Sequence, residues 1–375
     1  MKHKIAIASA FLAASSFSMG EIEINEFLSF EGFVDSSYTH TDVDDDSGNF
    51  GDMSDNNFQV DEVEISWLFN FDPVTAQVDT QYTGIGSSRN IVIDNAGNPV
   101  LGNSGEAELD QAFVTYHMDD GGAITAGRYD SMLGFEAFES PGLYQYSLAY
   151  DFPGLGDLGI LPVTNQGVKY TYEAADSMFG ISLQDAAFNS NIGSVNRLGG
   201  SGDSSWALEA AGSMQVTEEL GFFLGGVYED AESSNLSGTN FDDTWAINAY
   251  TTFETGSWLF AAELNYAESD GASQLPMGQF GAVDEEAFNA LLMANFAYSP
   301  EASVTGRLSY ADHDADDADD GAGDSVDAEY IKYTLAHNYA FTDNLALVTE
   351  VSYADGDDYI DADALEGAVE LIFTF

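Results

Sequence analysis

The end of the chain, from Leu365 to Phe375, alternates between two kinds of residue. One parity carries Leu365, Val369, Leu371 and Phe373, and the other carries mostly polar or small residues. A period of two predicts a β-strand with one apolar and one polar face. A terminal strand normally frays, so a strand that ends directly on an aromatic residue needs a special setting. We interpret it as the closing strand of a barrel that lipid surrounds, where every backbone polar group must be paired.

The same alternation recurs in about sixteen segments of roughly ten residues, the usual signature of a transmembrane β-barrel. The connections between them alternate in length. Seven are short, at 72–73, 119–122, 173–176, 217–219, 254–257, 299–301 and 342–344. Eight are long, acidic and rich in Gly and Ser, at 41–56, 83–105, 130–165, 189–204, 229–243, 267–286, 311–327 and 354–361. This predicts an all-β fold, a closed antiparallel up-and-down barrel of about 16 strands, with both termini on the short-turn side.

The first twenty residues have the features of a cleavable signal peptide. Lys2 and Lys4 form a basic start, an apolar run follows, and Ser18 and Gly20 supply small residues before a cleavage site. No later stretch has about twenty apolar residues without charges, so we expect no transmembrane helix. The sequence thus predicts a signal peptide at 1–20 and a single transmembrane barrel domain at 21–375.

The composition excludes one class of function outright. The chain has 65 acidic and 8 basic residues, a net charge of −57, and no cysteine. A nucleic-acid-binding protein needs Lys and Arg to neutralise phosphates, so nucleic acid is not a partner. The absence of cysteine suits an exported protein without disulfides. The chain is not disordered, because 45% of its residues are hydrophobic and 13% are aromatic.

The third long connection, 130–165, is rich in Gly, Pro, Tyr and Phe rather than simply acidic. A loop of this length with so many apolar residues is unusual in solvent. We expect it to fold into the barrel and constrict the lumen, which would place Glu136, Glu139, Asp151 and Asp157 along the path. The alternative is that it packs outward as a partner-binding surface.

The few bases also bear on the pore. A charged side chain that faces lipid near the midplane costs roughly 2–4 kcal/mol. Lys169, Arg307 and Lys332 alternate with apolar or small neighbours, so all three should face the lumen. In a ring of about sixteen strands, Arg307 and Lys332 fall opposite the base of the third loop, where we expect them to form a basic counter-wall.

Acidic runs in the first and seventh long connections are candidates for binding divalent cations, because Ca²⁺ and Mg²⁺ prefer carboxylate oxygens. The candidate residues are Asp44, Asp45, Asp46, Asp314, Asp316, Asp317, Asp319 and Asp320. The spacing of a calcium-binding EF-hand is not met. A solvated anionic loop is the alternative, and loose bridging of Ca²⁺ or Mg²⁺ to lipopolysaccharide lies between the two. No other cofactor is indicated.

The sequence contains no recognisable catalytic motif. None of its five histidines lies in a zinc-binding or nucleophile pattern, and no glycine-rich phosphate loop precedes a helix. A hydrolase site built into a barrel wall stays open as an alternative, although no residue is singled out for it.

Several motifs resemble the OmpL-like group of Gram-negative β-barrel porins. They are the mature start at 21–33, the segments 108–116, 125–128, 133–136, 144–147 and 167–172, and the terminal Phe375. The resemblance implies passive diffusion of small solutes and use of the terminal aromatic in assembly. Related general porins imply a homotrimer. The chain departs from such porins in having few bases for the wall opposite the loop.

The sequence therefore predicts an outer-membrane porin of a Gram-negative bacterium, a passive channel for small hydrophilic solutes that prefers cations. Its partners would be outer-membrane lipid and lipopolysaccharide. The alternative from another class is a structural or adhesive barrel, with a plugged lumen and acidic loops that bind a partner.

Overall fold

The computed structural model describes residues 20–46, 48, 51–85, 91–93, 99–101, 106–154, 156–188, 206–231, 233–234, 240–280, 282–317 and 326–375. The predicted signal peptide, apart from Gly20, lies outside these residues. Within them, no helix is long and apolar enough to cross a bilayer.

Across this part of the chain, sixteen long strands form one antiparallel sheet. They are β1 (Leu28–Asp45), β2 (Met53–Asn70), β3 (Val74–Ile85), β4 (Glu106–His117), β5 (Gly122–Asp130), β6 (Thr164–Ala174), β7 (Ser177–Gln184), β8 (Trp206–Gln215), β9 (Leu220–Asp230), β10 (Asn240–Thr255), β11 (Trp258–Ala272), β12 (Ala282–Ser299), β13 (Ala302–Asp317), β14 (Ala328–Thr342), β15 (Leu345–Asp358) and β16 (Ala362–Thr374). Short strands at Ile22–Asn25, Ile91–Ile93, Pro99–Leu101, Asp151–Phe152, Gly156–Asp157 and Ser233–Ser234, and 3₁₀ turns at Ser140–Gly142 and Pro276–Phe280, complete the described elements.

The sheet closes on itself because β16 pairs with β1, from Phe33 opposite Thr374 to Asp45 opposite Ala362. Beyond the last strand residue, the Phe375 N–H donates to the Gly32 carbonyl at 2.9 Å, and Gly32 N–H donates to the Phe375 carbonyl at 2.8 Å. A Cβ on Gly32 would lie 2.2 Å from the Glu64 carbonyl oxygen and 3.0 Å from the Phe375 ring. The final aromatic residue thus belongs to the closing seam, and the predicted closed up-and-down barrel of 16 strands is confirmed.

The alternation of short and long connections follows the predicted order, but several strands run further into the long connections than expected. Asp42 and Asp44 lie in β1, and Asp312, Asp314 and Asp316 lie in β13. The prediction that these residues are loop residues is therefore wrong. Polar strands can continue their ladders above the apolar band, because backbone pairing does not depend on side-chain polarity.

The two faces of the wall have the reverse of the polarity seen in a water-soluble protein. On β16, Leu365, Val369 and Leu371 are exposed on the outside, whereas Glu366 and Glu370 are buried on the inside. The other well-aligned strands repeat this pattern. An apolar outside and a polar inside are what a barrel wall in lipid requires.

Aromatic side chains mark one boundary of the apolar band. The Trp206 indole N–H donates to Asp230 at 3.1 Å, and the Tyr266 hydroxyl donates to Glu268 at 2.6 Å. Aromatic residues with one polar atom suit the boundary between lipid and water, where the ring meets apolar groups and the polar atom meets its partner.

Two β-bulges interrupt the alternation on neighbouring walls. Between β1 and β2, Asp35 pairs with Glu62 and Ser36 with Val60, which leaves Asp61 of β2 as an extra residue. Between β3 and β4, Val78 and Thr80 pair with Ala112 and Leu109, so that two residues of β4, 110 and 111, oppose Asp79 of β3. A bulge re-aims a side chain, and both of these bulges add acidic residues near the lumen. The second one explains why β4 has no clear parity in the sequence.

Candidate functional site in the barrel lumen

The connection between β5 and β6 lies inside the barrel and reaches distant parts of its wall. Gly134 N–H donates to Asn248 Oδ1 on β10 at 3.1 Å. The Ser140 hydroxyl donates to Asp35 on β1 at 2.6 Å. Asn289 on β12 donates to the Leu158 carbonyl at 3.0 Å. We call residues 131–163 the lumen loop. Apart from residue 155, which is not described, it crosses the lumen rather than packing outward.

Carboxylates of the wall hold the lumen loop by accepting its backbone N–H groups. Glu209 accepts Met132 N–H at 2.6 Å, and Glu263 accepts Phe135 N–H at 2.8 Å. Glu350 accepts the N–H groups of residues 146 and 147 at 2.8 and 3.1 Å. Hydrogen bonds to an ionised acceptor are stronger than neutral ones. Many of the acids inside the barrel therefore have a structural partner that is not a basic side chain.

Arg307 and Lys332 complete these attachments. Arg307 Nη1 lies 2.6 Å from Glu136 Oε1, and Nη2 donates to the Leu148 carbonyl at 2.9 Å. Lys332 Nζ donates to the Asp151 carbonyl at 2.7 Å and to the Leu148 carbonyl at 3.2 Å. The two bases are only 3% and 0% exposed. Both face inward, and the lumen loop covers them.

The other predicted site residues are divided between loop structure and open space. Lys169 Nζ donates to the Asp130 carbonyl at 3.2 Å and lies 4.4 Å from the centre of the Tyr129 ring. Asp157 accepts Gly159 N–H at 2.8 Å within a turn. Among the seven residues predicted for the constriction, Glu139 borders the space that the loop leaves open.

That space is a cavity of about 520 Å³ between the lumen loop and the wall of β2 to β5. Its carboxyl-bearing residues are Glu62, Glu64, Glu108, Asp110, Asp130 and Glu139, and its basic residue is Arg128. Arg128 Nε donates to the Asp110 carbonyl at 2.6 Å. We call this group of six acids the acidic wall. One sign of charge therefore predominates around the cavity.

Gly127 allows β5 to approach β4 closely beside Arg128. Its φ is +138°, and a Cβ there would lie 2.2 Å from the Ala112 carbonyl oxygen. Only glycine tolerates both conditions. Sequence reasoning did not assign Glu108, Asp110, Arg128 or Asp130 to the site, because the bulge in β4 and this kink remove the simple alternation. The vague parity of the β4 and β5 segments was the available signal.

The position of Glu139 changes its acid–base behaviour. Burial within the lumen raises the pKa of Glu139 well above its usual range, and the negative charges of Glu64 and Asp130 raise it further. Its carboxyl group therefore takes up a proton at a higher pH than an exposed glutamate does.

Two further segments pack into the lumen against buried acids. Glu229 accepts the N–H groups of Ala187 and Phe188 at 2.6 and 2.8 Å. Glu285 accepts the Met277 N–H at 3.3 Å and lies 2.9 Å from His313 Nδ1. Side chains of both segments border the cavity, so three connections shape the open space.

The acids proposed for divalent cations lie away from this cavity. Asp44, Asp46, Asp314 and Asp316 are exposed at the outer ends of β1 and β13. Asp45 accepts Gly48 N–H at 3.1 Å. Asp319 and Asp320 lie outside the described residues, as does the side chain of residue 317. In the part of the chain that is described, no three His, Cys, Asp or Glu residues are grouped to hold a metal ion.

Comparisons with known proteins agree with this architecture. The family model described as "Putative beta-barrel porin-2, OmpL-like" matches residues 28–375. A search of curated proteins gives no match.

Among solved structures, DcaP, an outer membrane channel of Acinetobacter baumannii, has a TM-score of 0.61 at 14% identity, over 93% of this chain and 97% of that one. OmpT, an outer membrane protein of Vibrio cholerae in a trimer form, has a TM-score of 0.59 at 15% identity, over 93% and 99%. An anion-selective porin from Comamonas acidovorans has a TM-score of 0.58 at 13% identity, over 93% and 99%. These similarities establish the fold alone.

Proposed function

We propose that this chain, which belongs to the OmpL-like family of β-barrel porins, is a passive outer-membrane channel for small hydrophilic solutes with a preference for cations. The family and the fold point to a channel rather than an enzyme. The proposal adds the direction of charge selectivity, which neither the fold nor the family decides.

The observation that carries the proposal is the charge around the lumen cavity. Six carboxyl-bearing residues and one arginine border it, while Arg307 and Lys332 are covered by the lumen loop. A cleft lined by one sign of charge, with walls of low dielectric constant, concentrates ions of the opposite sign. Cations should therefore enter this space more readily than anions.

The fold by itself does not fix a preference for cations, because a porin of the same fold can prefer anions. One structural neighbour of this chain is an anion-selective porin. Selectivity must therefore follow from the residues that line each lumen, which in this chain are mainly acidic.

Reversal potentials in a planar bilayer test the proposal. With purified protein between two KCl solutions of different concentration, the sign of the potential should show that K⁺ is more permeant than Cl⁻. The preference should be weaker near 1 M than near 0.1 M salt, because the Debye length shortens from about 10 Å to about 3 Å. A preference for Cl⁻ would contradict the proposal.

The plugged structural or adhesive barrel is the second candidate, and one observation favours it. The lumen loop crosses the barrel and two more segments pack beside it. The same bilayer recording separates the two candidates, since a plugged barrel would give no steady ohmic steps while a porin would give them.

The expected partners follow from the same proposal. We propose a homotrimer, which an OmpT structure of the same fold shows for that protein. The exposed acids at the outer ends of β1 and β13 would bind Ca²⁺ or Mg²⁺ loosely and so bridge to lipopolysaccharide phosphates. Analytical ultracentrifugation in detergent, with and without a chelator, tests the assembly and its dependence on metal ions.

A further inference from the structure

The lumen cavity has two chemically different sides. Strands β2 to β5 supply most of the acidic wall, including Glu62, Glu64 and Glu108. The lumen loop supplies apolar groups on the opposite side, among them Ile160, Leu161 and the ring of Phe138. A hydrated inorganic cation would use only the first side. A ligand that carries positive groups on a hydrocarbon chain would use both.

The register of the strands sets the spacing of the acids. Glu62 and Glu64 are two residues apart on β2, which corresponds to roughly 7 Å along a strand. Gln81 on β3 pairs with Glu64 on one side and with Glu108 on the other. The backbones of these two glutamates are therefore about 10 Å apart, which is two strand spacings.

Such spacing is unfavourable for one small metal ion. The oxygen ligands of Ca²⁺ all lie about 2.3–2.6 Å from the ion. Consistent with this, no metal-binding group of three acids or histidines occurs within the described residues. Separate positive groups that are joined by a short linker fit a row of separated carboxylates better.

Glu64 also has an unused acceptor at this cavity. The residue is 2% exposed and borders the open space. Its Oε1 accepts the Ser66 hydroxyl at 2.9 Å, whereas its buried Oε2 has no hydrogen-bond partner among the described residues. An unpaired buried acceptor costs free energy, and a cationic donor that reaches it would recover that cost.

We propose that the cavity is a binding site for linear alkyl diammonium ions, with the ammonium groups on the acidic wall and the methylene chain against the lumen loop. This inference rests on the proposed cation-preferring channel and names the class of solute that the channel takes. The nitrogens of extended 1,4-diaminobutane lie a distance apart that is comparable to the spacing of Glu62 and Glu64. Arg128 limits the site to part of the wall, since its guanidinium already lies beside Asp110.

Calorimetric titration of the folded protein in detergent tests the proposal directly. The probes are 1,4-diaminobutane, butylamine, which has one ammonium group on the same alkyl chain, and Mg²⁺, which has two charges on one ion. The diamine should bind at least about ten-fold more tightly than either, a difference of about 1.4 kcal/mol. Equal affinity for butylamine or for Mg²⁺ would overturn the inference.

Variants locate the site. E64Q and E108Q should each weaken diamine binding by about ten-fold or more. If E64Q disturbs folding because Glu64 is buried, E108Q still tests the site, because Glu108 is exposed and borders the cavity. D119N is the matched control, since it removes a carboxylate in a short turn remote from the cavity and should leave binding unchanged. Unaltered binding in a folded E108Q variant would show that the diamine binds elsewhere.

Conductance separates this inference from the proposed function. If K⁺ is preferred and the diamine interrupts the K⁺ current in the wild type but much less in E108Q, both stand. If K⁺ is preferred but the diamine neither binds nor interrupts the current, only the inference fails. If no K⁺ current or no K⁺ preference is found, the proposed function fails, and the calorimetric result still decides whether the site exists.

Discussion

At the residue scale, the contacts of Arg307 show how this lumen is organised. Its guanidinium pairs with Glu136 and also reaches the Ser147 hydroxyl at 3.0 Å and the Leu148 carbonyl. The side chain of Arg307 is fully buried, and that of Glu136 is 12% exposed. A single base thus fixes two turns of the lumen loop. The role of Arg307 is attachment of the loop, and its charge is largely balanced by its partner.

Replacing Arg307 with Met should therefore loosen the lumen loop. Removing one member of a buried ion pair typically costs about 3–5 kcal/mol, because the remaining charge is left uncompensated. We expect a lower midpoint of thermal unfolding and a noisier K⁺ current. The double variant R307M/E136Q should recover part of the loss, because the uncompensated carboxylate is removed as well. A double variant no better than R307M would show that the pair itself is not the source of the effect.

At the element scale, the lumen loop is held by contacts distributed around the barrel. Wall residues on β1, β8, β10, β11, β12, β13, β14 and β15 bond to it. A loop attached on so many sides behaves as a fixed partition rather than a hinged lid. Its position leaves the cavity on the side of β2 to β5.

Excising 140–161 should raise the single-channel conductance, because this part occupies space between distant walls. It should also weaken cation preference, since a wider aqueous path screens the acidic wall more effectively. Retention of heat-modifiable mobility on a gel would show that the shortened protein forms a barrel. An unchanged conductance in such a folded variant would contradict the placement of the loop in the conducting path.

At the scale of the whole molecule, the large negative charge is divided among three locations. Some acids hold inward-folded connections, as Glu209 and Glu350 do. Others border the cavity, such as Glu64 and Glu139, and a third set lies exposed at the outer strand ends. A net charge of −57 is therefore a sum over groups with different roles. Of these three sets, only the second borders the cavity described above.

The pH dependence of selectivity should report this second set. Because the pKa of Glu139 is raised, this carboxyl group loses its charge at a higher pH than an exposed glutamate. The K⁺ preference should accordingly decrease on acidification, and the decrease should begin at a pH above the usual glutamate range. Reversal potentials across a pH series check this. E139Q should show a smaller change of the K⁺ preference with pH, and an identical pH profile in E139Q would assign the effect to other groups.

The sequence by itself determined the barrel, its strand number and the side that each regular strand turns to the lumen. These properties follow from local rules: a period of two specifies two faces, and turn residues mark the short connections. On this basis Arg307 and Lys332 could be assigned to the inside before the structure was known. The strand ends could not be located so well, because polar residues such as Asp42 and Asp314 fit a strand and a loop equally.

Only the tertiary structure decided which inward residues remain accessible. Parity gives the direction of a side chain but not what covers it, and Arg307 and Lys332 are covered by carbonyl groups from a segment more than 150 residues earlier in the chain. The bulge in β4 and the kink at Gly127 added Asp110 and Arg128 to the cavity by breaking the local period. The acidic wall depends on register across four strands and on the path of one loop. These are long-range contacts that a local pattern does not encode.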